Sequence, residues 1–253
     1  MRREIYRYLE TCLSSDRPVA VASVVGGPRF GEQLLIAPAS GEQPAERVGG
    51  FEDPELERAV TDRTAELLTS FQSQRERFHV ASAAEGAREV DVFIEVHAPR
   101  PKLVIIGAVH VAAALVTFAK VLGFKTHVVD PRTAFATPER FAHADELSTA
   151  WPDEALRNLG ITENTFIALL SHDQKLDLPA LQIALPSPAR YIGALGSKKT
   201  HRKRVAALLE AGIPSEQIER IHNPIGLDLG GRRAEEIAAA ILAEMIAVQH
   251  GKA

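Results

Sequence analysis

The chain has 253 residues, of which 45% are hydrophobic and 25% charged, a composition typical of a soluble globular protein with one large or two small domains. The formal net charge of −4 argues against nucleic acid or an anionic membrane as a partner. No apolar segment is long enough for a signal sequence or a membrane span, which indicates a cytoplasmic protein, and the single cysteine excludes an intrachain disulfide or a cysteine-based metal site.

The first half of the chain is predicted to form a small α+β domain. An amphipathic opening helix places Cys12 on its apolar face, where a buried structural thiol is favoured over a reactive one. Strands are expected over Val19 to Val25 and Gln33 to Ile36, and a hairpin over Arg77 to Val96. Between them, Asp53-Pro54-Glu55 predicts a helix start, because aspartate caps the first turn and proline suits its first position.

The second half begins with a strand–turn–helix–strand unit. The apolar run Leu103 to Ile106 is typical of a strand buried on both faces of a parallel sheet, and Gly107 ends it. A helical pattern then runs to Gly123, and a second strand ends on Asp130, about 20 residues after the first glycine, which is the layout of a Rossmann fold. We therefore predict an α/β fold whose C-terminal part is a Rossmann-like parallel sheet with helices on both faces.

The segment His97 to Pro101 is a predicted linker, because its two prolines stiffen the chain and disfavour helix. It divides the chain into a smaller α+β domain, residues 1–98, and a Rossmann-like domain, residues 99–253. Two more buried strands are expected in the second domain, over Phe166 to Leu170 and Arg190 to Ile192.

The glycine fingerprint of the Rossmann fold is incomplete in this chain. The pattern G-x-G-x-x-G/A reads Gly107-Ala108-Val109-His110-Val111-Ala112, so that the second glycine is replaced by Val109. A β-branched side chain at this position should push a diphosphate away, which weakens the expectation of NAD(P). His110 opens the helix and could either hydrogen-bond a ligand phosphate or cap the turn.

Polar residues follow several predicted strands, at Asp130 with Arg132, His172 with Asp173, and Ser197 with Lys198 and Lys199. Because the carboxyl ends of parallel strands line one crevice, these residues are expected to lie along one rim and bind a ligand there. Two predicted helix starts, Gly196 to Lys199 and Gly230 to Arg233, combine free backbone N–H groups with cations, which favours an anionic ligand, above all a phosphorylated one.

Each polar cluster also has a plainer interpretation. Asp130 could simply cap the turn before Pro131, and the run Arg202 to Arg204 favours a solvated helix face. His172 and Asp173 could be an ordinary loop pair, or could form an acid–base site or a two-ligand metal site with Asp177. No metal is expected, because a third ligand is not visible.

The second half resembles the xanthine dehydrogenase accessory protein (XdhC/CoxI) family. The matching motifs are Pro101 to Ala112, Val129 to Arg132 with Phe135-Ala136-Thr137, Ser171-His172-Asp173 with Asp177, Tyr191 to Ser197, Pro224 to Asp228, and Glu236 to Ala238 running on to Ala243-Glu244. The first half is similar to the small N-terminal domain of the family: Arg29 lies in the turn Val24 to Gly31, and Gly49-Gly50 precedes Phe51 where the family has a cysteine.

The residue patterns and the resemblance together designate a set of site residues. His172, Asp173 and Asp177 are the candidate catalytic residues. The candidate cofactor-binding residues are Gly107, Ala108, His110, Asp130, Arg132, Gly193, Gly196, Ser197, Lys198, Gly226 and Asp228, and Arg29, Gly49 and Gly50 form the candidate N-terminal turn.

The resemblance implies an accessory protein that matures a molybdenum hydroxylase of the xanthine dehydrogenase type. Such a protein binds the molybdenum cofactor, supports its sulfuration with a cysteine desulfurase, and helps insert it into the apo-enzyme. One alternative is an NAD(P)-dependent oxidoreductase that uses His172 and Asp173 as its acid–base pair. Another is a diverged paralogue that acts only through protein interactions. The apolar last helix could also pack in a homodimer.

Overall fold

The computed structural model describes residues 3–40, 43–82 and 86–252. The chain divides into two compact units between Pro99 and Arg100. The elements of the first unit are α1 (Arg3–Ser14), β1 (Val19–Gly26), β2 (Gln33–Ala37), β3 (Glu46–Gly50), α2 (Pro54–Ser70), β4 (Gln74–Ser82) and β5 (Gly86–His97).

The elements of the second unit follow in chain order: β6 (Lys102–Ile106), α3 (His110–Val121), β7 (Lys125–Val129), α4 (Pro138–Phe141), β8 (Glu146–Ser148), α5 (Pro152–Leu159), β9 (Thr165–Leu169), α6 (Gln174–Ala184), β10 (Tyr191–Ala194), α7 (Lys198–Glu210), α8 (Ser215–Ile218), β11 (Ile221–His222) and α9 (Ala234–Gln249). Among the described residues, none of the helices is both long and apolar enough to span a membrane.

The first unit is an antiparallel sheet of five strands in the order β3-β2-β1-β5-β4, with a helix on each face. Side chains alternate between the two faces of a strand, so Ala20 and Ala22 of β1 pack in the core under α2, whereas Val19 and Val21 pack with Cys12 under α1. The predicted α+β class and the buried position of Cys12 are confirmed.

The predicted start of α2 is confirmed at the level of its hydrogen bonds. The Asp53 carboxylate accepts the backbone N–H groups of Glu55 at 2.9 Å and Leu56 at 3.2 Å, and Pro54 is the first helical residue. These bonds satisfy donors that have no partner inside the helix.

The second unit is a sheet of six parallel strands in the order β11-β10-β9-β6-β7-β8. Read from the β8 edge and numbered by appearance within the unit, this order is 3-2-1-4-5-6, that of dinucleotide-binding folds. Leu103 and Ile105 of β6 pack under α3 and α9, whereas Val104 and Ile106 pack under α5 and α6. The predicted Rossmann-like sheet with helices on both faces is therefore confirmed.

The apolar last helix is accounted for inside its own unit. Ala238, Ile241 and Met245 of α9 are fully buried, in the same core as Leu115 and Ala119 of α3. Burial against α3 explains why the helix is apolar. A homodimer through this helix stays a prediction.

Candidate functional site

The loops after β6 and β9 are in direct contact, at the point where the chain reverses its direction of winding through the sheet. Gly107 has φ of +106°, and a Cβ atom built on it would lie 2.7 Å from both Cα and N of Ser171. Only glycine fits this backbone and this spacing. The first fingerprint glycine therefore permits close packing of two loops at the crevice where such folds bind ligands.

The rest of the fingerprint forms the start of α3. Ala108 is buried, and Val109, at the N-cap position, is half-buried and packs against the core under the helix. Val109 makes no side-chain capping bond, and the next residue, His110, is exposed. A branched apolar side chain thus stands where a dinucleotide-binding turn has glycine.

Asp130, at the end of β7, is completely buried, and its carboxylate is hydrogen-bonded on every side. Oδ2 accepts from the Ala108 amide and from Nη2 of Arg132, both at 2.8 Å; Oδ1 accepts from the amide and Nε of Arg132 at 3.0 and 2.9 Å. Four bonds occupy roughly all the lone-pair positions of a carboxylate. Burial opposes ionisation, but the bonds from Arg132 and Ala108 outweigh it and hold the pKa of Asp130 below its usual value.

The Asp130 contact fixes Arg132 at the rim of the sheet. Its guanidinium also lies over the exposed ring of Phe135, with 4.5 Å between Cζ and the ring centroid. Hydrogen bonds to Asp130 raise the pKa of Arg132, so the group is a permanent cation. About a third of the side chain remains exposed, which leaves an oriented guanidinium available to a ligand.

Arg132 forms one wall of an open cleft of about 670 Å³ in the second unit. The other lining residues come from the loop after β9, the start of α6 and the first turns of α7: Ser171, His172, Asp173, Gln174, Lys175, Lys199, Thr200 and Lys203.

The cleft carries excess positive charge. Arg132 is already paired with Asp130, but three further cations, Lys175, Lys199 and Lys203, line the cleft against one carboxylate, Asp173. Across the residues described, the three lysines make no ion pair. The Asp173 carboxylate accepts the Lys175 amide at 2.9 Å and so caps α6. Uncompensated cations of this kind favour an anionic ligand.

The start of α7 strengthens this preference. Ser197 is the N-cap, and its hydroxyl accepts the Thr200 amide at 3.2 Å, after Gly196 with φ of +141°. Exposed Lys198 and Lys199 occupy the first turn, which holds no acidic residue. The lysine side chains and the partial positive charge at the N-terminus of the helix repel each other. An anion bound here would relieve that repulsion.

A buried network lies beneath the cleft. Asp177 of α6 accepts the Ser171 hydroxyl at 2.6 Å on Oδ1 and Nη2 of Arg204 at 2.9 Å on Oδ2; the same Nη2 donates to the Leu195 carbonyl at 3.0 Å. The prediction that Arg204 faces solvent is wrong, because the residue is 1% exposed. The physical reason is helical spacing: Arg204 stands four residues before buried Leu208 and shares its inward face.

The sequence model of the XdhC Rossmann domain matches residues 103–245, more than half of the chain. The chain belongs to the XdhC Rossmann domain family. It is also 30% identical to the molybdenum cofactor insertion chaperone PaoD of Escherichia coli over 151 residues, which cover 60% of this chain and 41% of PaoD. A crystal structure of a xanthine dehydrogenase from Bacillus halodurans has the same fold, with a TM-score of 0.57, 20% identity, and coverage of 99% of this chain and 97% of that one.

Two further relatives are similar along the chain. YqeB of Escherichia coli is 32% identical over 247 residues, which cover 92% of this chain and 44% of YqeB. A probable xanthine dehydrogenase component of Bacillus subtilis is 30% identical over 156 residues, which cover 62% of this chain and 45% of that protein. The chain therefore spans less than half the length of each of these curated relatives, PaoD included.

Two glycines of the motifs shared with the XdhC family pack against protein atoms. A Cβ on Gly193 would lie 2.5 Å from Cγ1 of Ile225, and one on Gly226, where φ is +89°, would lie 2.8 Å from N of Ile241 in α9. Gly226 therefore allows its loop to pack closely against α9, and Gly193 allows Ile225 to pack closely on β10. Asp228 is exposed in the loop that follows. A direct cofactor contact by these three residues stays a prediction.

A cluster that the sequence analysis missed surrounds Glu244 of α9. Its carboxylate accepts the Tyr191 hydroxyl and the Gly226 amide, the latter at 2.8 Å, and lies 3.3 Å from Nδ1 of His222. Burial raises the pKa of Tyr191, whereas the bonds to His222 and Tyr191 outweigh burial and lower the pKa of Glu244. The four residues are spread over more than 50 positions of the sequence, so only the folded chain brings them together.

The start of α9 does not offer an open anion site. The Glu236 carboxylate accepts the backbone N–H groups of Arg232 at 2.9 Å and Arg233 at 3.0 Å. The prediction that this helix start is open to an external anion is therefore wrong, because a side chain of the helix already supplies the negative charge.

The candidate N-terminal turn lies in the first unit and is held by its own contacts. Arg29 forms ion pairs with Glu52 and, at 3.4 Å, with Glu32. A Cβ on Gly49 would lie 2.5 Å from the Gln33 carbonyl, and one on Gly50 would lie 2.9 Å from Oε2 of Glu57, which also accepts the amide of the buried Phe51. The two turns named from the XdhC resemblance thus meet through Arg29 and Glu52. Over the described part of the chain, no three His, Cys, Asp or Glu side chains are grouped to hold a metal.

Proposed function

We propose that this chain binds the molybdenum cofactor and passes it to an apo molybdenum hydroxylase of the xanthine dehydrogenase type. The observation that carries the proposal is the basic cleft at the carboxyl ends of the strands, in a chain of the XdhC Rossmann domain family that is related to a molybdenum cofactor insertion chaperone. The proposal therefore joins a family relationship to a site of matching charge.

The residues of the cleft fit the phosphate end of molybdopterin. A phosphate offers several acceptor oxygens, and the cleft presents one guanidinium and three ammonium groups. Arg132 donates hydrogen bonds from Nε and Nη2 to the Asp130 carboxylate. These bonds fix the orientation of the guanidinium and leave Nη1 for a ligand oxygen. A pre-oriented guanidinium loses less entropy on binding phosphate than a free side chain would.

The molybdenum ion and its sulfur ligand belong to the cofactor, and this chain's residues bind, orient and release it. Its single cysteine is unsuited to carry sulfur, because Cys12 is buried and burial raises the pKa of its thiol. A thiol must ionise to act as a nucleophile. By the resemblance of the first half to the N-terminal domain of the XdhC family, Phe51 stands where that family has a cysteine, and its side chain lies in the core of the first unit. We therefore propose that a cysteine desulfurase partner supplies the sulfur.

The test is whether the chain binds the cofactor through the cleft. The full chain is incubated with released cofactor, desalted, and oxidised so that bound pterin is measured by fluorescence. We expect pterin to remain with the unaltered chain and to be lost from the Lys199→Gln/Lys203→Gln variant. Arg202→Gln is the matched control, because Arg202 is exposed on the same helix but does not line the cleft. Equal retention in all three would remove the cleft from the proposal.

The NAD(P)-dependent oxidoreductase remains the second candidate, because the strand order is that of dinucleotide-binding folds. Two observations oppose it: Val109 replaces the glycine under the diphosphate, and Asp130 has its acceptor positions filled by Ala108 and Arg132. If the chain binds NAD(P)H tightly, transfers hydride and retains no pterin, the proposed cofactor-binding function is overturned and the oxidoreductase is favoured. Binding of neither ligand would favour a chain that acts only through protein interactions.

A further inference from the structure

We propose that Asp177 and Arg204 are a positioning pair that holds the loop Ser171 to Asp173, and with it the His172 ring, at the cleft, so that His172 contacts the bound anion. This inference rests on the proposed function in one respect, that the cleft binds a phosphate group. It reassigns Asp177 from the candidate acid–base group to a residue that acts through its neighbours.

The contacts form a continuous path from α7 to the cleft. Arg204 of α7 donates to Asp177 of α6, Asp177 accepts from Ser171 after β9, and Ser171 lies against Gly107 after β6. Arg204 also donates to the carbonyl of Leu195 after β10. One buried arginine thus connects the loops that follow three neighbouring strands.

The hydroxyl of Ser171 closes the turn around His172. It donates to Asp177 at 2.6 Å and accepts the Asp173 amide at 3.1 Å. His172, between them, has φ of +55°, a left-handed conformation that a non-glycine residue adopts only when its surroundings impose it. The result is an exposed imidazole on the wall of the cleft.

The geometry excludes Asp177 as an acid–base group that reaches a ligand. The residue is 2% exposed, and its two oxygens are engaged by Ser171 and Arg204. A positioning role does not require access to the ligand, because the carboxylate needs only to keep the Ser171 hydroxyl in place.

The pair is poorly suited to a role in stability alone. Nε and Nη1 of Arg204 are buried without a hydrogen-bond partner among the described residues, and unpaired buried donors are unfavourable. Well-packed apolar side chains often replace a buried ion pair without loss of stability. A paired Asp177→Leu/Arg204→Met variant should therefore separate stability from positioning.

The first test needs no ligand. Hydrogen exchange of the peptide that contains the Asp173 amide is measured in the full chain and in Asp177→Ala, because asparagine would keep an oxygen that can accept from Ser171. We expect exchange at this loop to speed up at least about tenfold, since the bond from Ser171 Oγ to the carboxylate is lost. Asp145→Ala, which removes another hydrogen-bonded carboxylate of the same unit, should leave the loop unchanged. Unchanged exchange in Asp177→Ala would overturn the positioning role.

The second test uses inorganic phosphate as the probe and calorimetry as the readout. We expect His172→Ala and the Asp177→Leu/Arg204→Met pair each to weaken phosphate binding by about fivefold, and their combination to weaken it no further, because both changes remove the same contact. The melting temperature of the paired variant should stay within a few degrees of the unaltered chain. If the combined variant instead loses phosphate affinity by the product of the two separate losses, the pair does not act through His172 and the inference is overturned.

The outcomes separate this inference from the proposed function. Phosphate binding that depends on His172 in a chain that retains no pterin would support the positioning pair and defeat the proposed cofactor. Absence of phosphate binding by the unaltered chain would overturn the contact between His172 and an anion, and hydrogen exchange would still decide whether the pair holds the loop. If the paired variant does not fold, Arg204→Lys takes its place in the same cycle.

Discussion

The guanidinium of Arg132 makes a two-point contact with the buried carboxylate of Asp130, Nε to Oδ1 at 2.9 Å and Nη2 to Oδ2 at 2.8 Å. In dinucleotide-binding folds, an acidic residue at the end of the second strand accepts a ribose hydroxyl. Here the carboxylate instead anchors an arginine at the rim of the sheet. The same position in the fold therefore places a cation at the rim of the sheet, where a nucleotide site would have an acid.

Replacing Asp130 by asparagine should lower both stability and anion binding. The neutral amide cannot hold Arg132, and one of its N–H groups would oppose a donor that the carboxylate accepts. We expect the free energy of unfolding to fall by about 2–3 kcal/mol, less than for a fully buried pair because Arg132 can turn towards solvent. Urea denaturation measures this change. Asp153→Asn on α5, which breaks the exposed Arg157 pair, is the control and should cost less than about 0.5 kcal/mol.

The long, patterned elements of this fold could be predicted from the sequence. The four apolar residues Leu103 to Ile106 indicated the central strand, and the Asp53-Pro54-Glu55 sequence located the start of α2, because each signal is local. The edge strands β8 and β11 have only three and two residues. Such short strands form because they pair with distant segments, and no local pattern reports that pairing.

The rim of the site could be predicted, but its support could not. Of the polar residues expected at one crevice, Arg132, His172, Asp173 and Lys199 line one cleft, whereas His110, Ser197 and Lys198 are not among its lining residues. Arg204 was hidden in a run of basic residues whose charge suggests solvent. Only its spacing from Leu208 signalled the inward face, and the partner Asp177 comes from a different helix.

Asp145 should make the second unit sensitive to acid. Burial opposes its ionisation, but bonds from Thr126 and Lys120 outweigh this and lower its pKa to about 2. Because the pKa of Asp145 is lower in the folded state than in the unfolded state, its ionised form stabilises the fold. This stabilisation is complete above the unfolded pKa, near 4, and is lost as the pH falls towards 2. The unaltered chain should have a free energy of unfolding about 1 kcal/mol higher than that of Asp145→Asn at neutral pH, and this difference should shrink as the pH falls below about 4. Urea titrations at several pH values measure it, and a constant difference would contradict the assignment.

Val109→Gly should not create a tight NADH site. The substitution restores the fingerprint glycine, yet Asp130 keeps its acceptor positions filled by Ala108 and Arg132, so a ribose hydroxyl gains no partner. We expect NADH titration, followed by nicotinamide fluorescence, to show no binding tighter than about 1 mM in either protein. Tight binding in the variant alone would mean that the native site is vestigial, and tight binding in the unaltered chain would support the oxidoreductase.

Gly107→Ala should disrupt the contact on which the whole rim depends. A Cβ at this position would meet the backbone of Ser171 at 2.7 Å, and φ of +106° is strained for alanine. The matched control is Gly123→Ala, where φ is +79° but no atom lies within 4 Å of the added Cβ. Backbone strain alone should lower the free energy of unfolding of the control by about 1 kcal/mol. The added clash should lower that of Gly107→Ala by more than about 3 kcal/mol. Thermal denaturation of the two variants compares them directly. Equal losses would show that the loops after β6 and β9 can separate without penalty, and a rim that separates so easily could not hold Arg132 and His172 around one anion.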